Sequence, residues 1–190
     1  MKTFEINLML PTAKHRHQVE EYKQKFLKEK LISISLIPGT GSLENKTFDE
    51  WLAECDDHRV GKNLPQDFVP ATQFIAIRKS DNKLVGMFQI RHALTPFLER
   101  IGGHIGYSVA PDERRKGYAT QMLLLGLEEC KKLGIEKVRI SCIKENVASA
   151  GVIKKCGGEY DGDAEYDGVI EKYNGKVFER YWIKTIRHCE

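Results

Sequence analysis

The stretch HIGYSVAPDERRKGYAT, residues 104–120, sets the reading of the chain around it. HIGYSV ends at Ala110-Pro111, and small and apolar residues resume after Gly117. This order predicts a strand over 104–109, a turn, and a helix beginning at Gly117. Arg114, Arg115 and Lys116 fall directly before that helix. Basic residues ordinarily sit at the other end of a helix, where they complement its dipole. Three of them here point to something negative bound between them. The first turn of a helix leaves backbone N–H groups without partners, and the dipole adds positive potential. Gly117 has no Cβ to hold a ligand away from the backbone, and Ala119 keeps the next turn open. Flanking cations can then close over phosphate oxygens. A pyrophosphate suits this arrangement better than a single carboxylate. Neither G-x-x-x-x-G-K-[ST] nor a helix-opening G-x-G-x-x-G is present.

Downstream, strand and helix signals alternate: a helix over 117–133 stopped by Gly134, a strand over 137–142, a helix over 146–155 stopped by Gly157-Gly158, and a last strand over 177–186. Ala119, Met122, Leu123, Gly126, Cys130 and Leu133 share one stripe of the first helix. Residues 161–168, DGDAEYDG, read as turns, and their acidic side chains Asp161, Asp163, Glu165 and Asp167 as a solvated surface rather than a trap for a cationic amine. Upstream, 74–78 and 84–91 read as a hairpin turned at Asp81-Asn82. The first 70 residues hold a short strand over 4–10, a helix from Thr12 with Val19, Tyr22 and Phe26 on one face, and a second helix over 47–55. Loops fill 37–45 and 61–70. A hairpin leading into β-α-β-α-β predicts an α/β (α+β) domain with a mixed, mostly antiparallel sheet and helices on both faces.

The length of 190 residues suits a single domain, and 41% hydrophobic with 30% charged residues is the balance of a globular protein with a sizeable core. A net charge of +3 is too mild for a nucleic-acid binder, and aromatic and basic residues do not interleave. No apolar run is long enough to span a bilayer, and the N-terminus does not read as a signal peptide. Cys55, Cys130, Cys142, Cys156 and Cys189 are odd in number, widely spaced and free of any C-x-x-C pair. That predicts free thiols, no metal site and a reducing, cytoplasmic setting.

The turn and helix resemble the GNAT N-acetyltransferase family, whose [Q/R]-x-x-G-x-[G/A] motif matches Arg114-Arg115-Lys116-Gly117-Tyr118-Ala119. IGYSVAPDE is similar to the strand that precedes that motif, and NVASAGVIKKCGG to the family's second motif. The resemblance covers 74–187, leaving 1–70 as a variable opening. It implies acetyl-CoA as acetyl donor, with no metal. Backbone amides of Arg115, Lys116, Gly117, Tyr118, Ala119 and Thr120 would cradle the pyrophosphate, with the Arg114 and Lys116 side chains as its wall. Tyr107 and Val109, at a strand edge, would pair with amides of the pantetheine arm. Asn146 and Ser149 open the second-motif helix. They can act as an ordinary N-cap, as polar contacts to the cofactor arm, or as both.

Acetyl transfer to an amine requires a neutral amine, stabilisation of a developing oxyanion, and at most modest help for a thiol leaving group of pKa ~8.5. His104 is the first candidate base, since the family often places a carboxylate there and histidine titrates near neutrality; the other reading is a histidine hydrogen-bonded at a strand end. His92 and Glu145 are weaker candidates. The position of the family's tyrosine acid is Ile153 here, so Ser149 is the candidate acid. No neighbouring base activates Cys142 for a covalent route. The reading is therefore an N-acetyltransferase acting by direct attack in a ternary complex. The alternative is a catalytically impaired acyl-CoA sensor. The acceptor is an amine of a small molecule or peptide, with no nucleic acid or membrane as partner and a monomer or homodimer as the working unit.

Overall fold

Two eight-residue strands, β2 (Ala71–Arg78) and β3 (Leu84–Arg91), are buried almost throughout and form the expected hairpin. The computed structural model describes residues 4–29, 37–166 and 173–185. β1 (Ile6–Met9) pairs with β2 and β4 (Ile105–Val109) with β3, giving a sheet ordered β1-β2-β3-β4. A second sheet, ordered β5-β7-β6, is built from β5 (Lys137–Ile143), β6 (Glu159–Glu165) and β7 (Val177–Lys184). Every ladder described is antiparallel. Among the described residues the sheets meet at one isolated bridge, Gly103 to Ile140, beyond which β4 has no ladder on that side.

Strand alternation sends side chains to two cores. Ile75, Ile77 and Met87 pack under helices α1 (Arg16–Lys28) and α2 (Phe48–Arg59), against Val19, Tyr22, Phe26 and Trp51. On the opposite face Phe74, Ala76, Phe88 and Ile90 meet Met122, Leu123 and Leu127 of α4 (Tyr118–Lys132). Val138, Ile140 and Ile183 of the second sheet, and Ala150 and Ile153 of α5 (Val147–Lys155), join that core. Helices thus cover both faces, as expected. Gly126 sets the closeness of α4, because a Cβ there would lie 2.1 Å from Cζ of Phe88.

Two stretches differ from expectation. Residues 159–165 are a strand, β6, whose register on β7 shifts between Tyr160 and Asp163. Its acidic, mostly exposed sequence masks an edge strand, where few apolar residues are needed. Asp161 pairs with Arg139, and Lys144 with Asp163 at 2.8 Å, so both carboxylates hold the second sheet together. Between β3 and β4, where the sequence marked no element, Thr95 caps a short helix, α3 (Pro96–Arg100), accepting a hydrogen bond from Leu98 N. Cys55, Cys130, Cys142 and Cys156 are free thiols. Asp167, Ile186 and Cys189 lie outside the described residues.

Candidate active site

After β4 the chain makes a 3-10 turn over Pro111–Glu113 and enters α4 through two left-handed residues, Arg115 (φ 65°) and Gly117 (φ 83°). Alternating handedness turns successive amides to one side and makes an anion-binding concavity. Among the described residues, the N–H groups of residues 115–120 donate to no protein acceptor; the first helical bond is from Gln121 N to Gly117 O (3.2 Å). A Cβ on Gly117 would have nothing within 4 Å, so the space before these donors is open. Unspent donors facing open space fit a phosphate-bearing cofactor.

The flanking cations are arranged differently from the expected wall. Arg114 pairs with Glu29 at 3.1 Å and lies over the Phe26 ring. Lys116 donates to Glu113 (2.8 Å) and to Asp112 O (3.1 Å). Arg115, exposed, has no ion-pair partner among the described residues and is the cation left for a ligand. Glu113, 3% exposed, also receives Arg78 (2.8 Å) and Lys83 (2.6 Å), so one carboxylate braces the turn against the β2–β3 hairpin. Burial alone would raise its pKa, but the hydrogen bonds from Lys116 and Lys83 and the charges of Lys83 and Arg78 hold it down at about 2. A folded-state pKa below the ordinary 4.5 gives stability that is complete above about 4.5 and is lost as pH falls toward about 2. The urea midpoint should therefore decline through that window, and Glu113→Gln should flatten the decline while costing about 2–3 kcal/mol at neutral pH. Equal pH slopes in the two proteins would dismiss Glu113 as the source.

Between the nest and the second sheet, the edge of β4 is open. Ala110 N donates to Val85 O on β3 (2.9 Å), so alternation turns the amides of Tyr107 and Val109 toward that open edge. The gap widens into a cavity of about 930 Å³. One end holds Tyr107, Cys142, Asn146 and Ser149. Tyr107 Oη and Ser149 Oγ are 2.9 Å apart, and burial pushes the Tyr107 hydroxyl up to about 12 against the Ser149 hydrogen bond. Asn146 Oδ1 accepts from Ser149 N (3.1 Å), which confirms the N-cap. Burial pushes the Cys142 thiol up to about 11, which keeps it neutral. The other end is lined by Gln89 and Arg91 and by residues of the 37–42 loop. Trp51 Nε1 donates to Thr40 O (2.6 Å) and Gln73 Nε2 to Gly39 O (2.8 Å), so α2 and β2 hold that loop in place.

Residues 11–159 match the family model described as an acetyltransferase (GNAT) domain, most of the chain. The chain belongs to the GNAT acetyltransferase family. As a GNAT enzyme it is an acyltransferase whose acetyl donor is acetyl-CoA. The sequence matches no curated protein. Among solved structures, the ribosomal-protein-S5-alanine acetyltransferase of Vibrio fischeri aligns with a TM-score of 0.71 at 14% identity, covering 97% of this chain and 96% of that one. A GNAT-family acetyltransferase of Bacillus anthracis aligns at 0.66 and 20% identity, covering 97% of both chains. A ribosomal-protein-serine acetyltransferase of Vibrio cholerae aligns at 0.65 and 18% identity, covering 96% and 95%. These likenesses show the GNAT fold. Among the described residues no group of three or more His, Cys, Asp or Glu side chains could hold a metal, and no helix is long and apolar enough to cross a membrane.

His104 occupies the vertex where the two halves of the GNAT sheet touch, not the cavity wall. Its backbone N donates to Arg139 O (2.8 Å) and its Nδ1 accepts from Arg139 N (2.9 Å). That bond places the neutral ring's proton on Nε2, so neither nitrogen is free to take a proton from an amine. Burial, then the charges of Arg91 and Arg139, push its pKa down to about 4. His92 is held by Thr72 (2.8 Å) and Glu145 by Lys176 (3.2 Å), and neither lines the cavity. Ile153, the position that the resemblance aligned with a tyrosine acid, is fully buried in the core, so α5 presents apolar packing there. The Tyr107 hydroxyl, Gln89 and Arg91 did not emerge from the sequence as site residues. The signal for the last two was polar residues at period two on an otherwise apolar strand.

Proposed function

We propose that this chain acetylates an amine by direct attack in a ternary complex. The observation that carries the reading is the continuity of the open β4 edge, flanked by the amide nest, with a cavity large enough for a second molecule. Acetyl-CoA supplies the activated acetyl group. The amides of Arg115 to Thr120 bind its pyrophosphate, and Arg115 adds the free charge. The backbone edge at Tyr107 and Val109, with Asn146, orients the pantetheine arm. Ser149 Oγ delivers a proton to the departing sulfur and recovers one through Tyr107 Oη, 2.9 Å away, from the attacking nitrogen, which sheds a proton on becoming an amide. This tyrosine comes from the strand rather than from α5.

Ser149→Ala should lower kcat about 10-fold, the modest end of acid catalysis because a thiolate leaves readily. Tyr107→Phe should do nearly the same. The double variant should be no worse than either single one, because both break one relay. Multiplying losses would separate the two hydroxyls into independent roles.

Transfer itself is tested by giving the purified chain acetyl-CoA with a panel of small amines, amino acids and N-terminal peptides and following thiol release. Amine-dependent release is expected. Tight acetyl-CoA binding by calorimetry without release toward any amine would replace the transferase with a sensor of acyl-CoA.

A further inference from the structure

We infer that the acceptor carries an anionic oxygen group, a carboxylate or a phosphate, which Arg91 and Gln89 bind inside the cavity. The inference rests on the reading of that cavity as the acceptor site. Gln89 and Arg91 are two residues apart on β3, so both side chains leave the same face, and both line the cavity. Arg91 Nη1 donates to Gly103 O (3.0 Å), its one side-chain hydrogen bond among the described residues. Among the described residues Arg91 has no carboxylate partner. The other cations nearby are neutralised: Lys46 by Glu54 and Arg139 by Asp161. Three acidic groups line the cavity: Glu54 is spent on Lys46, Asp57 accepts from Asn63 (2.7 Å), and Asp67, on the 61–70 loop, makes no ion pair with Arg91 among the described residues. Desolvation alone lowers the pKa of Arg91, with no acid near enough to offset it.

The wall beside this guanidinium is bare backbone. A Cβ on Gly106 would lie 3.8 Å from Arg91 Nη2 and 3.1 Å from Gly39 N. Among the described residues Gln89 also makes no side-chain hydrogen bond to the protein, and its Nε2 stands 3.2 Å from the place of a Cβ on Gly41. Guanidinium and amide donors therefore converge on one space with their capacity unspent. A desolvated cation with free donors is costly unless something negative completes it. A planar fork with one more N–H beside it matches a carboxylate or phosphate. A polycationic acceptor would meet like charge at the same place.

The full chain can be tested with matched amines that differ in one group: phenylalanine against phenethylamine, and phosphoethanolamine against ethanolamine. The anionic member of at least one pair should be preferred about 30-fold in kcat/KM, mostly through KM. The pair showing the preference distinguishes carboxylate from phosphate. Arg91→Met should reduce the preference to within about 3-fold, and Arg91→Lys should restore part of it. Gln89→Leu, which leaves the Gly103 contact in place, should reduce it about 5-fold. A neutral amine preferred by the wild-type chain, or an Arg91→Met loss equal for both members of a pair, would overturn the inference.

A binding measurement separates this from the transferase reading. Phenylacetate, phenyl phosphate and the neutral phenethyl alcohol are titrated by calorimetry into the chain saturated with CoA. At least one anion should bind about 10-fold or more tighter than the alcohol, and Arg91→Met should abolish the difference. That result would stand even if no amine were acetylated. No preference for either anion would sink the anion site while leaving acetyl transfer to be judged by thiol release.

Discussion

Gly117→Val is expected to raise the Kd for acetyl-CoA about 100-fold or more while leaving the fold nearly intact. Gly117 is the left-handed N-cap of α4 (φ 83°, ψ 0°), and a Cβ there meets no protein atom. The packing therefore does not resist valine, but its branched side chain disfavours positive φ and would stand in front of the free amides. Straightening the cap swings the N–H groups of Gly117 and Tyr118 away from a common point. Gly117→Ala, with the same conformational conflict and less bulk, should lose about 10-fold. Calorimetric titration against thermal melting separates the two effects. A valine variant that binds acetyl-CoA as the wild type does would dissolve the assignment of this nest to the pyrophosphate.

The second large effect is on stability. Gly103 carries the isolated bridge that joins the two sheets among the described residues, has φ +69°, and would place a Cβ 2.3 Å from Arg139 O. Alanine there adds a disfavoured backbone conformation to a clash with a carbonyl that cannot rotate away. The loss should be about 3 kcal/mol, a large part of the 5–15 kcal/mol that holds a domain folded. The melting midpoint should fall by about 8 °C. Since the bridge also sets where β4 and β5 part, affinity for acetyl-CoA should fall with it. A variant that melts with the wild type would show that the vertex yields freely, contrary to its geometry.

The parts of the fold legible in the sequence were those where one physical pattern acts alone. β2, β3 and β4 were marked by apolar runs closed by turns, and α4 by its stripe and by Gly117 and Gly134. β6 was not, because an exposed edge strand with Asp161 and Asp163 needs little apolar surface, and its carboxylates serve Arg139 and Lys144 across the sheet. In the candidate site, the amide nest followed from local sequence alone. The pairing of Arg114 with Glu29 and of Lys116 with Glu113 did not, since partners 85 residues apart, or buried by the tertiary fold, leave no local mark. His104 shows the same limit. Its residue type suggested a base, whereas its neighbour Arg139, brought in by β5, makes it a clasp. Arg91 became conspicuous only when the fold surrounded it and, among the described residues, paired it with no carboxylate.

The loop over 37–42 hangs from Trp51 and Gln73, and Ile37 and its neighbour Leu43 belong to the core beneath α1 and α2. None of that core's residues is shared with the core that seats α4. Substitutions in that loop can therefore reshape the cavity beside Gln89 and Arg91 while the packing that seats α4 is left as it is.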